Sequence, residues 1–236
     1  MLKAITEGVK NAPCINSHIF FNHRFVKGKI VQYQEVDISM PWMLPHGEMM
    51  TINLNNIGER TLKDLALYIE NIAKKFEKTD MTEAMFSVSM HDTIEKLKKL
   101  KIPTVLYRLI GAKFGNSKVK TLSGKAKKAY NSIPETERIT KHDIKQGTIT
   151  VSNVGSLYRE QRGSVALLEI VPPQVFAVGI GAIQKKPVVS GTDEIVVGQI
   201  LPMCLAFDHR ALDFGEIVPF IKKLDEIFVN PNLILK

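Results

Sequence analysis

The sequence has no long apolar run and very little cysteine, and each absence excludes a class of protein. No apolar stretch reaches the roughly 18 residues that a membrane-spanning helix needs, and the N-terminus lacks a signal-peptide pattern. The two cysteines, Cys14 and Cys204, are far apart and have no metal-binding spacing. Because so little cysteine fits a reducing compartment, we expect a cytoplasmic protein, and we do not expect membrane contact.

The composition is that of an ordinary globular protein, with 44% hydrophobic and 24% charged residues in 236. A chain of this length can bury a large core, and mixed α/β domains commonly have this size. The five histidines other than His209 show no ligand spacing, so we expect no metal.

The net charge of +8 is concentrated in one segment. Residues 95–128 hold eleven Lys or Arg and one acid, whereas the remainder holds 21 basic and 23 acidic residues. Since the body of the chain is slightly acidic, we do not expect a nucleic-acid-binding protein. The basic segment is interpreted as a solvated face, or as a surface that docks an acidic partner or a membrane.

The most informative stretch runs from Asp208 to Asp213, directly after the apolar run 201–207, which predicts a buried strand. It places His209 between carboxylates, and the unperturbed pKa of histidine allows it to accept and return a proton near neutral pH. Asp213, four residues later, can fix the local backbone or pair with a cation. From spacing alone, a strand-end histidine held by its neighbours remains an alternative.

Helical and strand patterns alternate along the chain. Helices are predicted at 2–12, 61–76 and 216–228, and two or three more within 80–139. In that region Val105, Leu106, Leu109 and Ile110 recur as a helical stripe that we expect to fold against the protein's own assembly, with the lysines of the segment exposed. Strands are predicted around a turn in 19–33 and at 35–40, 49–54, 148–152, 165–170, 175–183 and 195–207.

Several of these segments resemble the catalytic domain of the 2-oxo acid dehydrogenase acyltransferases and its relative chloramphenicol acetyltransferase. Residues 148–155, TITVSNVG, are similar to the family's TFTISNLG strand and turn. Residues 172–174 and 177–183 match its PPQ and AVGAI block, and the 208–213 stretch looks like its histidine signature. The resemblance covers roughly 2–76 and 140–235. No segment resembles a lipoyl domain or a peripheral-subunit-binding domain.

This resemblance implies an α/β fold of the chloramphenicol acetyltransferase type, with a mixed sheet, flanking helices and assembly as a trimer. Residues 1–236 are then a single acyltransferase catalytic domain with a lineage-specific, basic helical insertion at 80–139. The sequence departs from the family at Phe214, where the family has Gly. The family's Arg partner for the aspartate lies in a more N-terminal segment without a counterpart here, so we expect a fragment or another cation.

By resemblance, His209 is the general base and Ser152 donates a hydrogen bond to the oxyanion, with Ser156 in reserve. Asp213 matches the family's aspartate, and Asp208 is interpreted as structural. In the family the base and the serine meet across a subunit boundary. The substrates implied are coenzyme A and dihydrolipoamide, with the lipoyl group supplied by another chain. The expected partners are its own copies, as a homotrimer or multiple of three, and acidic lipoyl-domain or dehydrogenase subunits.

Two alternatives remain at this point. One is a non-catalytic oligomeric core or scaffold that keeps the acyltransferase fold. The other is an acetyltransferase that acts on another small acceptor. Acyl transfer in either enzymatic reading needs His209, whereas a scaffold does not.

Overall fold

The computed structural model describes residues 1–44, 47, 49–98, 100, 102–113, 121–164 and 168–235, without the side chains of residues 112 and 113. It divides into two compact units, the first formed by residues 1–62 and 146–236 and the second by residues 63–145. The second unit contains the predicted insertion at 80–139. That the chain forms a single catalytic domain stays a prediction.

Strands and helices occur largely in separate blocks along the sequence. The strands are β1 (Ser17–Asn22), β2 (Lys27–Gln32), β3 (Ile38–Met43), β4 (Met49–Leu54), β5 (Ile149–Asn153), β6 (Phe176–Ile180), β7 (Gln184–Val189), β8 (Ile195–Ile200) and β9 (Met203–Phe207). The α-helices are α1 (Leu2–Asn11), α2 (Leu62–Glu77), α3 (Met81–Lys98), α4 (Ile102–Lys113), α5 (Gly124–Asn131), α6 (Lys141–Ile144), α7 (Val154–Leu157) and α8 (Phe214–Val229). Short 3-10 helices lie at Pro13–Ile15, Ile57–Glu59, Glu135–Glu137 and Pro231–Ile234.

The first unit is built on a five-stranded mixed sheet with the order β4-β3-β5-β6-β9. The strand β5 runs parallel to both β3 and β6, while β4 and β9 run antiparallel to their neighbours. All five residues of β6 are buried, as expected for a central strand covered on both faces. The hairpins β1-β2 and β7-β8 form two further small sheets. This mixed sheet with helices is the predicted α/β architecture.

Two amphipathic helices, α1 and α8, pack against each other in the first unit. Phe220 of α8 is fully buried, and its ring meets Phe176 of β6 edge-on at a centroid distance of 5.1 Å. At Gly8 of α1, a Cβ atom would lie 2.7 Å from the Phe220 ring. The absence of a side chain at Gly8 therefore lets the two helices approach, and Phe220 joins both helices to the sheet.

The second unit is helical. Ile72 of α2 and Ile139 are buried in it, and Thr140 caps α6 in a reciprocal arrangement with Asp143. The helices α3, α4 and α5 confirm the prediction of helical structure between residues 80 and 139. In the single chain Val105 of α4 is buried while Leu106, Leu109 and Ile110 are exposed, and the expectation that this stripe folds against the assembly stays a prediction.

The structure corrects several strand predictions. The predicted strand 195–207 is two strands, because the chain breaks at Leu201 and Pro202, and proline has no N–H to donate to a ladder. The strand β7 was not predicted; it pairs only with β8. Residues 168–170 are not in a strand, and the rest of the predicted strand 165–170 lies outside the described residues. The first turn is at residues 23–26, earlier than predicted.

The strand β9 lies at the edge of its sheet, and its apolar side chains are half-exposed rather than buried as predicted. Within the ranges given above, no helix is long and apolar enough to span a membrane.

Replacing Phe220 by Ala should lower the free energy of unfolding by about 3–5 kcal/mol, because the change removes a fully buried ring and leaves a cavity. Urea denaturation followed by circular dichroism measures this. Phe228→Ala is the matched control, since that ring on the same helix is half-exposed. Equal losses in the two variants would contradict the packing described here.

Candidate active site

His209 lies at the apex of a tight turn that follows β9. The Asp208 N–H donates to the Val175 carbonyl at 2.9 Å, and the Ala211 and Leu212 N–H groups donate to the Asp208 carbonyl at 2.9 and 3.0 Å. Leu212 is buried, which anchors the far side of the turn. The His209 side chain is 72% exposed, and its ring centroid is 4.5 Å from that of Phe207. The turn therefore presents the imidazole outward on a fixed backbone.

An ion pair between Asp208 and Arg210 holds this turn. The Arg210 Nη2 atom donates to Asp208 Oδ2 at 2.6 Å, and Nε donates to Oδ1 at 2.9 Å. These hydrogen bonds hold the pKa of the Asp208 carboxyl below its usual value. The guanidinium also lies 5.6 Å above the centroid of the Phe21 ring. Both Asp208 oxygens are thus engaged in shaping the loop.

Asp213 is the residue that precedes α8, and Glu216 Oε2 accepts a hydrogen bond of 2.7 Å from its backbone N–H. Its Oδ1 atom lies 3.8 Å from His209 Nδ1, and its side chain is 89% exposed. An aspartate at this distance can help to orient the imidazole ring. Phe214 begins α8 with helical backbone and an exposed ring, so the loop has no need of a glycine there.

Ser152 lies near the carboxyl end of β5, half-buried, and is not brought near His209 within the chain. Its partner on β6 is Gly179, which in turn faces Cys204 on β9. Asp208, the residue before His209, is four residues beyond Cys204, so Ser152 and Asp208 differ by about 13 Å along the strands and about 10 Å across them. A separation of roughly 16 Å excludes a direct hydrogen bond inside one chain.

The turn after Ser152 is tightly packed against the turn after β6. A Cβ atom at Gly155 would overlap the Gly181 carbonyl, which explains the glycine at position 155. Ser156, the reserve candidate, donates its hydroxyl to the Asn153 carbonyl at 2.8 Å. That hydroxyl is therefore already committed to the turn.

A buried polar network supports the chain before β6, and sequence analysis did not identify it. Gln174 Nε2 donates to the Gly147 carbonyl at 2.8 Å, and the Thr150 hydroxyl donates to Gln174 Oε1 at 2.5 Å. His18 Nε2 lies 3.1 Å from the same Gly147 carbonyl. The carbonyl of Val175, the residue after Gln174, accepts the hydrogen bond from the Asp208 N–H. The only sequence signal was the position of Gln174 in the matched PPQ motif.

Two cavities adjoin these elements. One of about 480 Å³ lies beside Asp208 and Arg210 and has apolar walls from Phe20, Phe21 and Pro173. Another of about 410 Å³ lies beside Ser156 and the Gly181 turn. Each end of the sheet that carries a candidate residue thus has a recess large enough for part of a ligand.

Comparison with known families decides the assignment. The sequence model of the family "2-oxoacid dehydrogenases acyltransferase (catalytic domain)" matches residues 115–236, which is about half of the chain. The chain belongs to this family. The matched region contains β5 to β9, the turn with His209, and α8. The resemblance inferred from the sequence motifs is thereby confirmed.

Known acyltransferases match a little under half of the chain. The lipoamide acyltransferase component of the branched-chain alpha-keto acid dehydrogenase complex of Bacillus subtilis is 32% identical over 115 residues, covering 45% of this chain and 25% of that protein. The dihydrolipoyllysine-residue acetyltransferase component of the Staphylococcus epidermidis pyruvate dehydrogenase complex is 34% identical over 98 residues, covering 42% and 22%. The chain thus matches about a quarter of the length of these curated relatives.

Solved structures confirm the fold class. A probable dihydrolipoamide acetyltransferase from Listeria monocytogenes superposes with a TM-score of 0.57 at 21% identity, over 95% of this chain and 66% of that chain. The cubic core of the pyruvate dehydrogenase multienzyme complex gives a TM-score of 0.57 at 18% identity, over 100% and 70%. The α/β mixed sheet described above is therefore that of the acyltransferase cores.

Replacing Arg210 by Gln should raise the pKa of Asp208 toward its usual value of about 3.9, because the hydrogen bonds to the guanidinium are lost. A carboxyl whose pKa is lower in the folded state stabilises the protein above its unfolded pKa, and the stabilisation disappears as the pH falls through the folded pKa. The variant should therefore be less stable than the parent at neutral pH and equally stable in acid.

NMR titration of the Asp208 carboxyl, together with denaturation at a series of pH values, measures both effects. Arg24→Gln is the matched control, since that guanidinium stacks on Phe25 away from the turn. An unchanged Asp208 titration in the Arg210 variant would show that the ion pair does not hold the loop in solution.

Proposed function

We propose that this protein is a coenzyme A-dependent acyltransferase of the 2-oxo acid dehydrogenase type. It transfers an acyl group between dihydrolipoamide and coenzyme A, with His209 as the general base. The observation that carries the proposal is the outward-facing imidazole beside Asp213, within the part of the chain that matches the family. The lipoyl group is supplied by another chain, and the reaction needs no metal.

A solved relative supports the residue roles. The dihydrolipoamide acetyltransferase of Azotobacter vinelandii, whose fold matches with a TM-score of 0.57 at 19% identity, is described by the role of a serine, a histidine and an asparagine in its catalytic mechanism. In that protein the asparagine follows the histidine by four positions, as Asp213 follows His209. The serine corresponds in kind to Ser152, which lies in the segment similar to the family's strand and turn.

The chemistry follows from these groups. The His209 imidazole removes the proton from the attacking thiol, and the thiolate sulfur bonds to the carbonyl carbon of the thioester. The Ser152 hydroxyl donates a hydrogen bond to the negatively charged oxygen of the tetrahedral intermediate. When the intermediate collapses, the carbon–sulfur bond of the leaving thiol breaks and its sulfur receives the proton from His209. Asp213 stabilises the imidazolium in between.

The active site needs more than one chain, and we propose a homotrimer or a multiple of three. The roughly 16 Å between Ser152 and His209 within one chain supports a site shared between subunits. Exposed apolar surface also supports an oligomer. Ile195 and Val197 of the β7-β8 hairpin are 78% and 75% exposed in the single chain, and a subunit interface would cover them. We further propose a cytoplasmic protein that works with acidic lipoyl-domain or dehydrogenase subunits.

Replacing His209 by Ala should lower acyl transfer between acetyl coenzyme A and dihydrolipoamide by about 10²–10⁴-fold, the usual contribution of a positioned base. The thermal midpoint should hardly change, because the side chain is 72% exposed. The rate is measured in a thioester-exchange assay that detects the coenzyme A released from acetyl coenzyme A.

His142→Ala is the matched control, since this exposed histidine lies in the helical unit. The His142→Ala variant should be as active as the parent. Equal activity of the His209 variant and the parent would support the scaffold reading instead. If dihydrolipoamide is inert while a different small thiol, alcohol or amine accepts the acyl group, the acceptor assigned here is wrong.

A further inference from the structure

The helical hairpin formed by α3 and α4 exposes an unusual amount of apolar side chain. Its large apolar residues are between 46% and 81% exposed. They are Ile94, Leu97, Leu100, Ile102, Leu106, Tyr107, Leu109 and Ile110. Scattered exposed apolar residues are normal in a folded protein, whereas a cluster of this kind marks an interaction surface.

The apolar residues of α4 lie on one side of the helix. Successive residues of an α-helix are about 100° apart around its axis. Viewed down the axis, the exposed apolar side chains of α4 therefore span an arc of about 160°, with Leu109 at one edge and Tyr107 at the other. Thr104 and Arg108 lie on the opposite side, and Val105 is buried at the border of the arc. Arg108 Nη1 also forms a 2.6 Å ion pair with Asp92 of α3, which fixes the rotation of α4. The structure therefore holds the apolar arc outward.

The same hairpin lies in the most basic part of the chain. Residues 95–128 contain eleven Lys or Arg and the single acid Glu95. In the last turn of α3, Lys96 and Lys98 are interleaved with Leu97, and they pair with Asp92 and Glu95. Asp92 also pairs with Arg108, so the excess positive charge of residues 95–128 comes from the other eight Lys of this segment. Apolar and cationic residues thus follow one another along this part of the sequence.

We propose that the α3-α4 hairpin binds an anionic lipid surface, with the apolar arc of α4 at the acyl boundary and the lysines among the headgroups. This combination is typical of helices that lie in the membrane interface, and no described helix is long and apolar enough to span a membrane. The proposal differs from the expectation of no membrane contact, and it does not depend on the acyltransferase activity.

Charge and shape favour lipid over the other occupants. A second copy of the hairpin would bring two strongly basic segments together, which repel each other. An acidic protein would satisfy the charge, but an apolar arc of about 160° is wider than the seam that a single partner helix covers. A lipid interface accepts a convex apolar surface of any shape and is anionic as well.

Flotation of the full-length protein with lipid vesicles tests the proposal. Vesicles of phosphatidylcholine with phosphatidylglycerol should bind the protein, and vesicles of phosphatidylcholine alone should bind it far more weakly. Binding should weaken as salt rises, because exposed charges are screened. Lys96→Gln with Lys98→Gln should lower the partition coefficient by about 25-fold at low salt, since each lysine near an anionic surface contributes about fivefold.

The apolar part is tested separately by the triple variant Leu106→Ser, Tyr107→Ser and Ile110→Ser. Its partition coefficient should fall more than about tenfold, since each buried CH₂ group contributes about fourfold. Matched controls are Lys27→Gln with Lys29→Gln and Phe25→Ser, exposed residues on the β1-β2 hairpin of the other unit. These should bind like the parent, and circular dichroism should show that every variant is folded.

Failure of the parent protein to float with anionic vesicles would overturn the proposal, as would equal losses in the hairpin variants and the controls. An acidic lipoyl domain is added in a parallel titration. If it binds the parent through the same residues while vesicles do not, the surface belongs to a protein partner and the lipid assignment is wrong. Acyl transfer, measured on the same samples, should be unchanged in the hairpin variants and so reports independently on the proposed function.

Discussion

The register of the central strand β6 is the constraint on which the candidate site depends. β6 pairs with β5 on one side and with β9 on the other, and it is buried along its whole length. Because β5 and β6 are parallel and β9 is antiparallel, Ser152 and His209 emerge at opposite ends of the same sheet. A shift of one residue in either pairing would turn every side chain of that strand to the other face. The geometry of the site is therefore a property of the sheet.

The elements around β6 maintain this register by close packing. Phe220 presses α8 against Phe176, the Gln174 network fixes the chain before β6, and the Asp208–Arg210 ion pair shapes the turn after β9. The consequence is a rigid frame that presents His209 outward, beside Asp213, without completing an active site. In the proposed function a second chain completes the site, and it would also cover exposed apolar residues of β8 and the half-exposed edge strand β9.

Local patterns in the sequence predicted much of this fold. The helices α1, α2 and α8 and the strand β4 follow from short-range periodicity, and the family was recognised from contiguous motifs such as residues 148–155 and 208–213. The contact of Arg210 with Phe21 and the distance between Ser152 and His209 depend on strands that are distant in the chain, so no local pattern contains them. What covers the apolar side of α4 stays a prediction, because periodicity identifies an apolar face but not its partner.

The central claim is that one active site is made by His209 of one chain and Ser152 of another. Mixing the inactive variants His209→Ala and Ser152→Ala under conditions in which subunits exchange tests this claim directly. If the site is shared in a symmetric oligomer, the mixed assemblies should recover about a quarter of the parent activity. Each site needs a chain with intact His209 at one position and a chain with intact Ser152 at the other, and in an equal mixture each position is filled suitably about half of the time. Activity that stays at the level of the separate variants after confirmed exchange would contradict the account.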